Sequence, residues 1–171
     1  VSWLAMKIPW AWLQTGEVLT SPNSGGGLIN TELEVLSATG SATRVSAAWT
    51  GRSFVLRGRA HGSRFRVLLR VNFTDALELW DITAQGAATR AGVYPAWAFA
   101  SEGVQQALAD DGALYTFGRN GSSLNDVIAR RTVSGAQELV YDESRLPQQQ
   151  WVTSPPQLWV RIHISTLVDG P

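Results

Sequence analysis

The chain has 171 residues, no cysteine, and 14 basic against 14 acidic residues, so its formal net charge is zero. That length fits one domain able to bury a substantial core, the missing cysteines exclude disulfide and thiolate-metal staples, and the balanced charge argues against a nucleic-acid binder that works by excess positive charge. Charged residues make up only 16% of the chain while tryptophan occurs eight times, a composition that suits a protein part of whose surface is covered by neighbouring subunits or by a ligand with apolar faces.

Val1 to Leu13 is apolar, with Trp3, Trp10 and Trp12 and a single charge at Lys7. It is too short to span a bilayer, and Pro9 would break a helix, so the alternation of Met6, Ile8, Trp10 and Trp12 predicts an extended arm. We assign residues 1–16 to this arm and 17–171 to one β-domain, with Trp3, Trp10 and Trp12 as candidate interface residues. Nothing in the arm has the form of a cleavable signal peptide. The Thr20–Gly27 stretch reads as a loop; its glycines lack the lysine and the helix that a phosphate-binding loop requires.

Glu32–Leu36 alternates as a short strand, and Arg44–Trp49 as another after a turn at Gly40. The strongest pattern spans Trp49–Phe73. Phe65, Val67, Leu69 and Val71 fall on one side of a strand, and Arg64, Arg66 and Arg70 on the other. With a turn at Ala60–Ser63, Arg59 should oppose Arg64 and Arg57 should oppose Arg66, which gathers Arg57, Arg59, Arg64 and Arg66 on one surface. Such a surface needs carboxylates, and Glu32 and Glu34 are the expected partners; the alternative is a face left basic for an acidic neighbour subunit or an anionic glycan. The stretch from Trp49 to Gly58, followed by Gly62 and Phe65–Leu69, resembles the strand pair of galactose-binding-like jelly rolls, a resemblance that implies architecture alone.

Leu77, Leu79, Trp80 and Ile82 do not keep one phase, which predicts a bulge or burial on both faces. Gln85–Ser101 is a long connection carrying Trp97. The Asp110-Asp111-Gly112 turn predicts a hairpin, as does Ser134-Gly135 between Val127–Val133 and Gln137–Tyr141. Asp142–Pro156 is a polar loop with Trp151, and Leu158–Ser165 a last alternating strand. No internal repeat stands out by eye.

Short strands at regular intervals predict an all-β fold, an antiparallel two-sheet sandwich of jelly-roll type. His61 and His163 are the only histidines, no nucleophile elbow or metal spacing occurs, and we expect neither catalysis, cofactor nor metal. The expected function is a structural and interaction module of a larger assembly, a bacteriophage virion protein of tail, baseplate or capsid-decoration type. Its partners would be other subunits, as in a homo-oligomer, with no nucleic acid and no membrane span. The alternative is a carbohydrate-binding module in which Trp97 and Trp151 stack on glycans beside Arg119 and Asn120.

Overall fold

In a computed structural model, residues 7–22, 32–46, 53–71, 76–98, 105–119, 121 and 125–143 are described. Trp3, Trp151, Asn120 and the expected strand Leu158–Ser165 lie outside them. Among the described residues the fold is all-β, with no helix and three four-stranded antiparallel sheets where the sequence reading expects two. Strand pattern alone does not fix which hairpins join into one sheet.

The chain divides into two compact units, 1–94 and 95–171. The first holds sheet 1, formed by β1 (Lys7–Trp12), β2 (Val18–Pro22), β3 (Glu34–Leu36) and β4 (Ala42–Arg44). It also holds sheet 2, formed by β5 (Ser53–His61), β6 (Arg64–Val71), β7 (Leu77–Thr83) and β8 (Ala88–Val93). The second unit holds sheet 3, with β9 (Gln106–Leu108), β10 (Leu114–Arg119), β11 (Asp126–Arg131) and β12 (Gln137–Asp142). Every sheet is a meander whose strands lie side by side in chain order. A jelly roll needs strands that cross over to non-neighbours.

The residues expected to form the extended arm supply β1, which pairs with β2 through a bulge at Trp10. The β5–β6 hairpin turns at Gly62-Ser63, which brings Arg59 opposite Arg66 and His61 opposite Arg64. A bulge at Leu56 then sets Arg57 opposite Leu68. The arginine register expected from the sequence is therefore displaced, because the turn uses two residues, with Gly62 at φ +56°, and not four. Phe65, Val67 and Leu69 are buried together as expected, and the phase break in β7 is burial on both faces, Leu77 and Leu79 on one and Trp80 and Ile82 on the other, while the register shift against β8 falls at Ala91.

One hairpin recurs. The β3–β4 and β7–β8 hairpins share seven of thirteen residues between Glu32–Arg44 and Glu78–Arg90, ending in Gly40-Ser41-Ala42-Thr43-Arg44 and Gly86-Ala87-Ala88-Thr89-Arg90. Their registers coincide: Leu36 faces Ala42 as Ile82 faces Ala88, and Glu34 faces Arg44 as Trp80 faces Arg90. The turn is the same down to its hydrogen bonds, since the Ser41 amide donates to Ser37 Oγ at 3.0 Å and the Ala87 amide to Thr83 Oγ1 at 3.2 Å. The β11–β12 hairpin repeats that turn, with the Ala136 amide donating to Thr132 Oγ1 at 3.2 Å and Gly135 at positive φ. A Ser or Thr, two further residues and a left-handed glycine make a three-residue hairpin loop with a glycine bulge. The same backbone loop, without the hydroxyl, also closes the β1–β2 hairpin at Gly16 and the β9–β10 hairpin at Gly112.

Sheets 1 and 2 share one core, in which Ala11, Leu19 and Val35 meet Phe65, Val67, Trp80 and Ile82. Because Val35 and Ile82 stand on opposite sides of the recurring hairpin, sheet 1 packs its front face on the back face of sheet 2. At the crossing, Gly58 of β5 lets β1 come close. A Cβ there would lie 3.0 Å from both the Cβ and the carbonyl oxygen of Trp10.

Candidate functional site: paired charges, a strapped arginine and an exposed tryptophan

Six basic side chains of the strands are engaged in cross-strand ion pairs. Arg66 grips Asp81 of the neighbouring strand with both arms of its fork, at 2.8 and 3.1 Å, in a partly buried position. The partner expected from the sequence is Glu32 or Glu34, but β6 lies beside β7, and those glutamates serve their own sheet. Glu34 holds Lys7, and Glu32 holds Arg44 at 2.7 Å. The repeat places Glu78 and Arg90 as it places Glu32 and Arg44, and these too form an ion pair, at 3.0 Å. Glu78 also accepts from the indole N–H of Trp80 at 2.8 Å. In sheet 3, Arg130 bridges Asp111 and Glu138 at 3.2 Å each, and Arg119 meets Asp126 at 3.4 Å.

Asp111 also caps its own turn, its Oδ1 accepting from the Ala113 amide at 2.8 Å. That backbone hydrogen bond, helped by Arg130, holds the Asp111 carboxyl below its ordinary value of 3.8 against the opposing effect of burial. Burial, with Glu143, Asp126 and Asp142 nearby, pushes the Tyr141 phenol above its ordinary 10.0.

Arg131 is the largest fully buried side chain among the described residues. Its guanidinium donates to Thr116 Oγ1 at 3.0 Å and to the Pro95 carbonyl at 3.2 Å, and it lies 5.3 Å from the centre of the Trp97 ring. An arginine cannot shed its charge, so hydrogen bonds and the ring must replace its water. Gln137, opposite Arg131, continues the same fastening: with its amide turned to suit its neighbours, the nitrogen donates to the Ala96 carbonyl at 3.1 Å and the oxygen accepts from the Ala98 amide at 3.0 Å. Pro95–Ala98 is thus a strap tied to the end of β11 and β12. Trp97, singled out in the sequence as a stacking residue for a sugar, is half-buried with an arginine against its ring.

Sequence reading passes over Arg131, although a signal exists. It falls in phase with Val127 and Ala129, on the buried side of an alternating strand, where arginine is out of place unless something receives it.

The candidate interface tryptophans separate. Trp10 sits in the β1 bulge, packs on the core of sheets 1 and 2 and donates from its indole N–H to Ser21 Oγ at 2.9 Å. Trp12 stands opposite Val18 at the edge of sheet 1 and is 56% exposed. Of the arginines named in the sequence reading, Arg57 and Arg64 are exposed, Arg59 is intermediate and Arg66 is paired with Asp81. No group of three or more His, Cys, Asp or Glu residues able to hold a metal occurs among the described residues, and no described helix is long and apolar enough to cross a membrane.

No family model, no curated protein and no solved structure matches this chain.

Proposed function

We propose that the protein is a non-enzymatic structural and interaction module of a larger assembly, a bacteriophage virion component of the tail, baseplate or capsid-decoration kind. The observation that carries the reading is the use made of charge. Lys7, Arg44, Arg66, Arg90, Arg119 and Arg130 each pair with a carboxylate in their own sheet. Catalysis asks for the reverse, titratable groups that converge on a cleft. A repeated hairpin supports the same reading, since repeat modules present extended, regular surfaces to partners. Trp12 adds an exposed aromatic anchor of the type that dominates interface energetics. Setting the assembly in a virion rests on the low charge content and the apolar N-terminal segment.

Multi-angle light scattering on the unmodified protein tests the reading. The expected result is a mass at a multiple of 18.6 kDa; a strictly monomeric protein at every concentration overturns it.

A further inference from the structure

We infer that the exposed end of the front face of sheet 2 binds a carboxylate-bearing polysaccharide, an inference that goes beyond the assembly reading and holds for a monomer and an oligomer alike. The chain is neutral overall, but its charge is unevenly spread: residues 53–93 carry six arginines against three carboxylates, Asp75, Glu78 and Asp81. The fold then gathers four of those arginines on one face. Phe65 and Val67 point back into the core shared with sheet 1, which turns the alternate residues of β5 and β6 to the front.

In register across the strands, His61, Arg64 and Thr83 make one row of this face, and Arg59, Arg66, Asp81 and Thr89 make the next. Arg57 opens a third row beside Leu68 and Leu79, whose burial ends the accessible part of the face. Arg57, Arg64 and Thr89 are exposed, and Arg59, His61 and Thr83 are half-buried. Asp81 is the one carboxylate in these rows among the described residues, and Arg64 takes no part in the ion pairs described above.

Arg66 and Asp81 display the contact this face makes with a carboxylate, two-armed at 2.8 and 3.1 Å. Successive rows stand about 7 Å apart, so Arg64, then Arg59 with Arg66, then Arg57 form a ladder of cationic steps. A single small anion would use one step, whereas a chain with carboxylates at regular intervals uses all of them. The hydroxyls of Thr83 and Thr89 and the His61 imidazole lie in the same rows, where they suit the hydroxyl groups of a sugar and offer less to an acidic peptide.

Calorimetric titration of the full chain with oligogalacturonate at low and high salt tests the inference, with the methyl-esterified oligomer and polyglutamate as comparisons. The wild type should bind oligogalacturonate, more weakly at high salt, and bind neither comparison as tightly. Arg64→Ala should weaken binding about threefold and Arg64→Glu about tenfold, with melting temperatures unchanged. Absence of binding at low salt, or undiminished binding by folded Arg64→Glu, overturns the inference. So does equal affinity for the methyl ester, which would remove charge as the basis, or for polyglutamate, which would make the partner an acidic protein. If Arg64→Glu does not fold, Arg57→Glu carries the comparison with the same outcomes.

Discussion

Arg131 shows how much a single side chain can organise. Its charge cannot be neutralised, and it is fully buried; the Thr116 hydroxyl, the Pro95 carbonyl and the Trp97 ring take the place of water. Replacing it with alanine removes charge-assisted hydrogen bonds and leaves a cavity, so Arg131→Ala should cost on the order of 3 kcal/mol in a denaturant melt. Trp97→Ala should cost less, about 1–2 kcal/mol, by taking away the ring alone; equal stability of Trp97→Ala and wild type would show that the strap is not held through the indole. At Gly58, alanine would press on the backbone of Trp10, and the expected loss is about 1–3 kcal/mol because neither strand can move without disturbing the shared core. Asp111 gives a pH signature. Its folded value lies below the ordinary 3.8, so the stability it contributes is complete above that value and disappears as the pH falls through the folded value. Asp111→Asn should accordingly lower the melting temperature most at neutral pH and least below the folded value, so that the acid limb of the profile is flatter than in the wild type.

The recurring hairpin governs the element scale. Thr83, Ser37 and Thr132 each receive the amide four residues on, and each replaced by alanine should lose about 1 kcal/mol. The glycines of the turn should differ. Gly135 is at φ +95° with open space around it, so Gly135→Ala costs only the strain of a left-handed residue, about 1 kcal/mol. A Cβ on Gly86, at φ +82°, would lie 2.9 Å from the Arg44 carbonyl oxygen, so Gly86→Ala should be the more damaging of the two by thermal melt. Most of this scale was legible in the chain: the β5–β6, β9–β10 and β11–β12 hairpins follow from alternation broken at glycine, and the two-sided burial of β7 from a phase change. The repeat escaped because four of its seven shared residues are Ala, Gly or Thr, and the third copy keeps only the turn, Thr132-Val133-Ser134-Gly135-Ala136. Register escaped where turn length decided it, at His61–Arg64. The ion-pair partners followed register and sheet order, which explains why Asp81 and not Glu32 or Glu34 receives Arg66.

At the scale of the whole molecule, three meanders replace the expected pair of sheets, and burial on two faces is the consequence. Leu68 and Leu79 are buried although they lie on the opposite face of sheet 2 from Phe65 and Val67. Antiparallel sheets with one wet face alternate cleanly; sheets covered on both sides do not, so alternation identified the strands of this protein better than it identified their surroundings. The N-terminal tryptophans illustrate the same limit, since a bulge at Trp10 turns that side chain onto the core while Trp12, two residues on, faces outward. Hydrogen exchange measured on the unmodified protein at low and at high concentration tests the assembly most directly. The backbone amides of Lys7–Trp12, the edge strand that carries the exposed Trp12, should become more protected as concentration rises, while the Gly135 turn stays unchanged; exchange that is independent of concentration throughout the chain would contradict the account.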